Sequence, residues 1–119
     1  MESVKEFSVM ILGDKYTVKY GSREALQLNF NNIGECRVYE KKILICTDLE
    51  DCKEEELIER VKEVTAHEVL HAYFNSSGLE LSSVAPECVE EVLCSFYQKH
   101  FLKIHKTVMD CLTKVEICP

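Results

Sequence analysis

The residues with the clearest chemical potential are His67, Glu68 and His71, in the run His67-Glu68-Val69-Leu70-His71. On a helix, residues four apart stand one above the other on one face. The two imidazoles would then reach one metal ion together. Glu68 would sit beside that ion, placed to take a proton from a bound water. The chemistry this trio suits is metal-assisted hydrolysis.

The neighbouring residues strengthen the reading. On a helical wheel started at Leu57, the residues Val61, Val64 and Ala72 fall in one apolar arc. Glu68 lies in the middle of that arc, and His67 and His71 lie at its edge. Val69, Leu70 and Phe74 make the segment apolar on nearly every side. A glutamate buried there without a partner is costly, and a metal centre with its water removes the cost.

A catalytic zinc site takes three protein ligands and a water. No third histidine follows at the short spacing of H-E-x-x-H-x-x-G-x-x-H, because its last two defined positions hold Phe74 and Ser77. The remaining candidates are Glu87, Glu90 and Glu91 on the next helix. Its apolar positions Val89, Val92, Leu93, Phe96, Tyr97 and Phe101 define a broad inner arc, and Glu90 projects inside it. Glu87 lies in the first turn at the arc's margin, and Glu91 points outward. Helical phase therefore ranks Glu90 first as third metal ligand and Glu87 second. A carboxylate left over would orient a histidine ring through its N–H. His100 and His105 read as core-edge or surface histidines, and Tyr73 and Tyr97 as packing aromatics.

Other elements must hold this trio in place. Phe7, Val9 and Ile11 alternate, then Tyr16, Val18 and Tyr20, with Gly13-Asp14 between them, which predicts a hairpin. Arg23 to Leu28 reads as a helical turn or a strand-like connection, and Asn29 to Gly34 as a turn. Cys36 to Tyr39 and Lys42 to Thr47 read as strands joined at Glu40-Lys41. The run Ile43-Leu44-Ile45-Cys46 is apolar on both faces, so helices should cover one side. A helix should start near Asp51, with Glu54 completing a capping box or Asp48 capping an earlier start. It should stop at Asn75-Ser76-Ser77-Gly78. A second helix should start near Pro86 and run to about His105. Thr107 to Cys118 is left as a short helix or tail. The plan is one domain over 1–119: a sheet region (1–48), the H-E-x-x-H helix (49–76), a second helix (85–105) and a C-terminal element (106–119).

Length and composition agree with one α+β domain. The chain has 119 residues and a formal net charge of −7. That balance disfavours nucleic-acid binding, which needs clustered Lys and Arg. No apolar run is long enough to span a membrane. The first ten residues lack an apolar signal core, so a cytoplasmic location is expected. Seven cysteines form no CxxC pair, which argues against a disulfide framework or a four-cysteine zinc site. Most should be small buried hydrophobes with free thiols.

H-E-x-x-H is the signature of zinc peptidases, and a longer stretch of this chain carries the resemblance. Leu44-Ile45-Cys46-Thr47-Asp48, followed by a charged helix start and Thr65-Ala66-His67-Glu68-Val69-Leu70-His71-Ala72, resembles the small zincin-like metallopeptidases of phages and integrated mobile elements. Gly78-Leu79 resembles their helix stop. Glu87-Cys88-Val89-Glu90 with Phe96-Tyr97-Gln98 resembles their second helix, where a glutamate completes the metal site. The resemblance covers about Lys42 to Gln98. It implies a minimal zincin-like fold, with a small, mostly antiparallel sheet packed on the H-E-x-x-H helix and a second ligand-bearing helix. It also implies Zn2+ as cofactor and a peptide or protein as substrate. Several relatives carry a further acidic residue where this chain has Pro86, so Glu87 stays beside Glu90 as the third ligand.

The leading expectation is a zinc metallopeptidase using a metal-activated water, with Glu68 as base. The alternative is a catalytically inactive zinc-binding or protein-interaction module of a phage or mobile element, acting on a regulatory protein partner. A metal-free α+β interaction domain is a third reading, in which the motif is coincidence. A thiol enzyme is a fourth, but no cysteine has a base at a readable spacing. Oligomeric state is not legible.

Overall fold

The computed structural model describes residues 4–49 and 53–117. Its first turn sets the sheet's register. Leu12 and Gly13 both take positive φ, 49° and 89°. A two-residue hairpin loop needs that pair of conformations to match the twist of its strands. It joins β1 (Lys5–Ile11) to β2 (Asp14–Gly21) with Ile11 opposite Asp14. Tyr16, Val18 and Tyr20 then face one side and are buried, as their alternation predicts.

Ser22 caps the short helix α1 (Arg23–Leu26) by accepting the Ala25 N–H at 3.0 Å. The Arg23 segment is thus a helical turn. Two more strands follow, β3 (Gly34–Arg37) and β4 (Lys42–Cys46). The third strand starts two residues before Cys36 and ends at Arg37, because the reversal occupies Val38 to Lys41. Lys41 carries its positive φ of 55°.

The sheet order is β1-β2-β4-β3. β1 and β3 pair antiparallel with their neighbours, and β2 and β4 pair parallel. The architecture is therefore mixed α+β with a mostly antiparallel sheet. Both outer strands are edges.

Two long helices cover one face of the sheet, α2 (Glu54–Ser77) and α3 (Val89–Lys114). The main core lies between, built from Tyr16, Val18, Ile43 and Ile45 against Val61, Val69, Cys111 and Leu112. Leu44 and Cys46 point the other way, onto Leu26 and Leu28. This explains why β4 is apolar on both faces.

The ends of the helices differ from the sequence expectation. Asp51 lies outside the described residues, and Lys53 occupies the N-cap of α2 without a side-chain hydrogen bond. Glu54, Glu55 and Glu56 fill the first turn, where negative charge complements the helix dipole. At the other end Gly78 (φ 78°) donates to Asn75 O, and Leu79 N–H donates to Phe74 O. This left-handed cap is one that glycine adopts without strain. The second helix does not stop at His105. A 3-10 turn (Pro86–Cys88) leads into α3, which continues to Lys114 and absorbs most of the supposed C-terminal element. No proline or glycine interrupts 106–114, and Val108, Cys111 and Leu112 extend the buried stripe.

Candidate metal centre

Packing of α2 on the sheet fixes which of its residues can do chemistry. Val61, Val64, Val69 and Ala72 are buried, which orients the helix. Glu68 falls among them at 7% exposure. His67 and His71 stand exposed on the adjoining side. The apolar arc with a carboxylate at its centre is thus present as the wheel predicts.

The two rings meet closely. Their Nε2 atoms are 3.2 Å apart, and the rings sit edge-on at 74° with centroids 4.8 Å apart. Two nitrogens at the usual zinc distance around a tetrahedral ion lie about 3.3 Å apart. The pair therefore already has the bite of a chelate. In a metal-free chain the same approach requires one ring to donate Nε2–H to the other. Ligand atoms of His67, Glu68 and His71 all lie within 4.8 Å of one another. Among the described residues this is the one such group of three His, Cys, Asp or Glu side chains.

Burial shapes the electrostatics of Glu68 and of His71. Burial raises the Glu68 carboxyl above its ordinary range, with the His67 charge opposing and Glu35 adding to the rise. Burial lowers His71, and His67 lowers it further. A neutral imidazole is the ligand form. A buried carboxylate with a raised pKa holds a proton better in a transfer step.

An edge strand closes one side. Gly34 opens β3 directly against α2. A Cβ there would lie 2.5 Å from Val64 Cγ1 and 2.9 Å from Glu68 Oε2. Only glycine lets the strand come this near the carboxylate. Between Asn31–Gly34 and the Arg60, Val64, His67 and Glu68 side of α2 runs a groove of about 320 Å³.

Arg23 holds the groove's loop wall. Its Nη1 donates to the carbonyls of Asn29 and Phe30, both at 2.7 Å, and of Asn32. Asp48 accepts from the Arg23 backbone N–H at 2.9 Å and from the Cys46 thiol. Sequence reasoning missed both residues. Gly34 reads as an ordinary turn glycine, and an arginine that bonds only backbone carbonyls leaves no side-chain pattern.

The glutamates of the second helix do not join the group. Glu87 and Glu90 are exposed, as is Glu91. Glu90 shares a face with Cys94, Tyr97 and Phe101, and that face is turned to solvent, with Tyr97 63% exposed. The inner arc assigned to α3 is therefore displaced. The buried stripe runs through Phe96, His100, Thr107 and Cys111 instead. Tyr97 and Phe101 stack on each other on the solvent side, with centroids 5.5 Å apart.

The other candidates have structural places. His100 is buried, 4.7 Å from the Phe96 ring and 6.4 Å from the Tyr73 ring by centroid. His105 is exposed. Tyr73 OH donates to Lys103 O at 3.0 Å and meets the Thr107 hydroxyl at 2.8 Å, tying α2 to α3. Cys46 and Cys111 are buried free thiols and Cys36 is half-buried, but Cys88 and Cys94 are exposed. Cys52 and Cys118 lie outside the described residues.

No protein-family model matches the chain, and no curated protein or solved structure shows significant similarity to it. No helix among the described residues is long and apolar enough to cross a membrane.

Proposed function

We propose that this protein is a zinc-dependent metallopeptidase of minimal zincin-like type. The observation that carries the reading is the matched pair of imidazole nitrogens, 3.2 Å apart, beside a buried glutamate. His67 and His71 would hold the ion through their facing imidazole nitrogens. Zinc bound there supplies a water of lowered pKa and polarises a scissile carbonyl. Glu68 takes the water proton and delivers it to the leaving amine. A third ligand from Glu90, or after it Glu87, would require the start of α3 to close on the histidines, because neither carboxylate joins their group. Both are exposed and make no ion pair among the described residues, so either carboxylate is available. The open edge of β3 holds an extended substrate along the groove by backbone pairing.

The exposure of Glu87 and Glu90 favours a second reading, a zinc-binding module without turnover. In that case the ion would sit on two histidines and a ligand from a partner.

A peptide-library digest followed by mass spectrometry separates the two. Zinc-loaded wild type should cut, and Glu68→Gln should hold zinc and lose at least about 100-fold in rate. Cleavage by Glu68→Gln at the parental rate removes Glu68 as base. Zinc binding with no cleavage by wild type selects the module.

A further inference from the structure

A second groove lies on the opposite edge of the sheet, away from the histidines. It has a volume of about 530 Å³ and runs between β1 and α3. Ser8, Val9 and Met10 form one bank, and Lys103, Lys106 and Lys114 stand on the other. We propose that this groove docks an extended acidic segment of a partner protein, added as a strand to the free edge of β1.

The edge supplies the backbone partners. Among the described residues β1 pairs with β2 alone. Its outer N–H and C=O groups are open to a further strand. Met10 is 62% exposed on this bank. The floor beneath is fixed rather than soft, because Tyr73 OH donates to Lys103 O and accepts from the Thr107 hydroxyl.

The opposite bank supplies the charge. Lys103, Lys106, Asp110 and Lys114 recur at three- and four-residue steps, so they share one helical face. The aspartate is already paired with Lys106 at 2.9 Å. Lys103 makes no ion pair among the described residues, and Lys114 Nζ rests 5.6 Å from the Phe7 ring centroid. Three lysines therefore converge on one groove of a chain whose net charge is −7. Acidic segments are repelled by most of the surface and attracted here, which steers them to one place. The rise from Lys103 to Lys114 is about 16 Å, at 1.5 Å per helical residue. About five extended residues span the same distance. The fitting segment is thus a short strand with acidic side chains on the face toward α3.

The test uses a fluorescein-labelled eight-residue peptide alternating glutamate with threonine, titrated into the intact chain and read by anisotropy. Saturable binding is expected, with amide NMR shifts concentrated at Ser8 to Met10. The double variant Lys103→Glu/Lys114→Glu should weaken binding at least tenfold, and both residues are exposed, so the fold is kept. The same peptide with alternate backbone amides N-methylated should weaken similarly, and it tests strand addition without altering the protein. Equal binding of the N-methylated peptide, equal binding by the charge-reversed variant, or no binding overturns the proposal. So does a single-stranded oligonucleotide that binds the groove more tightly than the peptide, which would make the lysines a phosphate site.

Discussion

Replacing Gly34 with alanine adds one methyl group where β3 presses on α2. The new Cβ would lie 2.5 Å from Val64 Cγ1, about 0.9 Å inside ordinary contact. Val64 cannot swing away, because a β-branched residue within a helix has essentially one rotamer. Glu68 Oε2, at 2.9 Å, is the second atom that must move. Strand and helix therefore separate, or the carboxylate is displaced. Overpacking of this kind costs roughly 1–3 kcal/mol. For a domain of this size that lowers Tm by roughly 4 °C per kcal/mol. The compensating change is Val64→Ala, which removes the clashing methyl. Thermal melts of wild type, both single variants and the double variant form a cycle. The double variant should be more stable than the sum of the single losses allows, with a coupling of about 1 kcal/mol or more. The reasoning is refuted if Gly34→Ala melts with wild type, or if the two losses simply add.

Three further outcomes follow from particular contacts. Tyr73→Phe removes the hydroxyl that joins α2 to Lys103 O and Thr107, and urea unfolding should show a loss of about 1 kcal/mol. Ser76→Ala removes a 2.8 Å hydrogen bond to Asp14, the main cause holding that carboxyl below its ordinary range, with Lys41 assisting. A depressed folded pKa adds stability above the unfolded value and loses it as pH falls, so the stability gap between wild type and Ser76→Ala should narrow below about pH 4. Equal gaps at pH 7 and pH 3 would contradict that assignment. Arg23→Ala releases the Asn29–Asn32 loop wall, and native-state hydrogen exchange in that loop should speed up at least tenfold while the β1 and β2 amides stay protected.

Much of this site was legible because two periodicities are strong. The 3.6-residue phase of α2 buries Val61, Val64 and Ala72, and so fixes Glu68 inward and both histidines outward. The twofold alternation of Tyr16, Val18 and Tyr20 does the same for β2. On α3 the phase misled. Tyr97 and Phe101 look like core residues but stack outward, while polar Thr107 and His100 are buried. Thr107 tolerates burial because its hydroxyl bonds the Tyr73 hydroxyl. That long-range pairing has no sequence period. Ranking Glu90 on the apparent arc inherited the error. The parallel pairing of β2 with β4 and the approach of Gly34 to Glu68 arise only when distant segments meet.

Metal content measured by elemental mass spectrometry tests the central claim most directly. Wild type, His67→Ala, His71→Ala, Glu68→Gln and Glu90→Ala are purified without chelator, reloaded with zinc and desalted identically. Wild type and Glu68→Gln should each retain about one zinc per chain, as expected for one closed chelate. Both histidine variants should retain none, and Glu90→Ala should retain less than wild type only where α3 closes that carboxylate on the ion. Folded wild type that takes up no zinc after reloading would contradict the account.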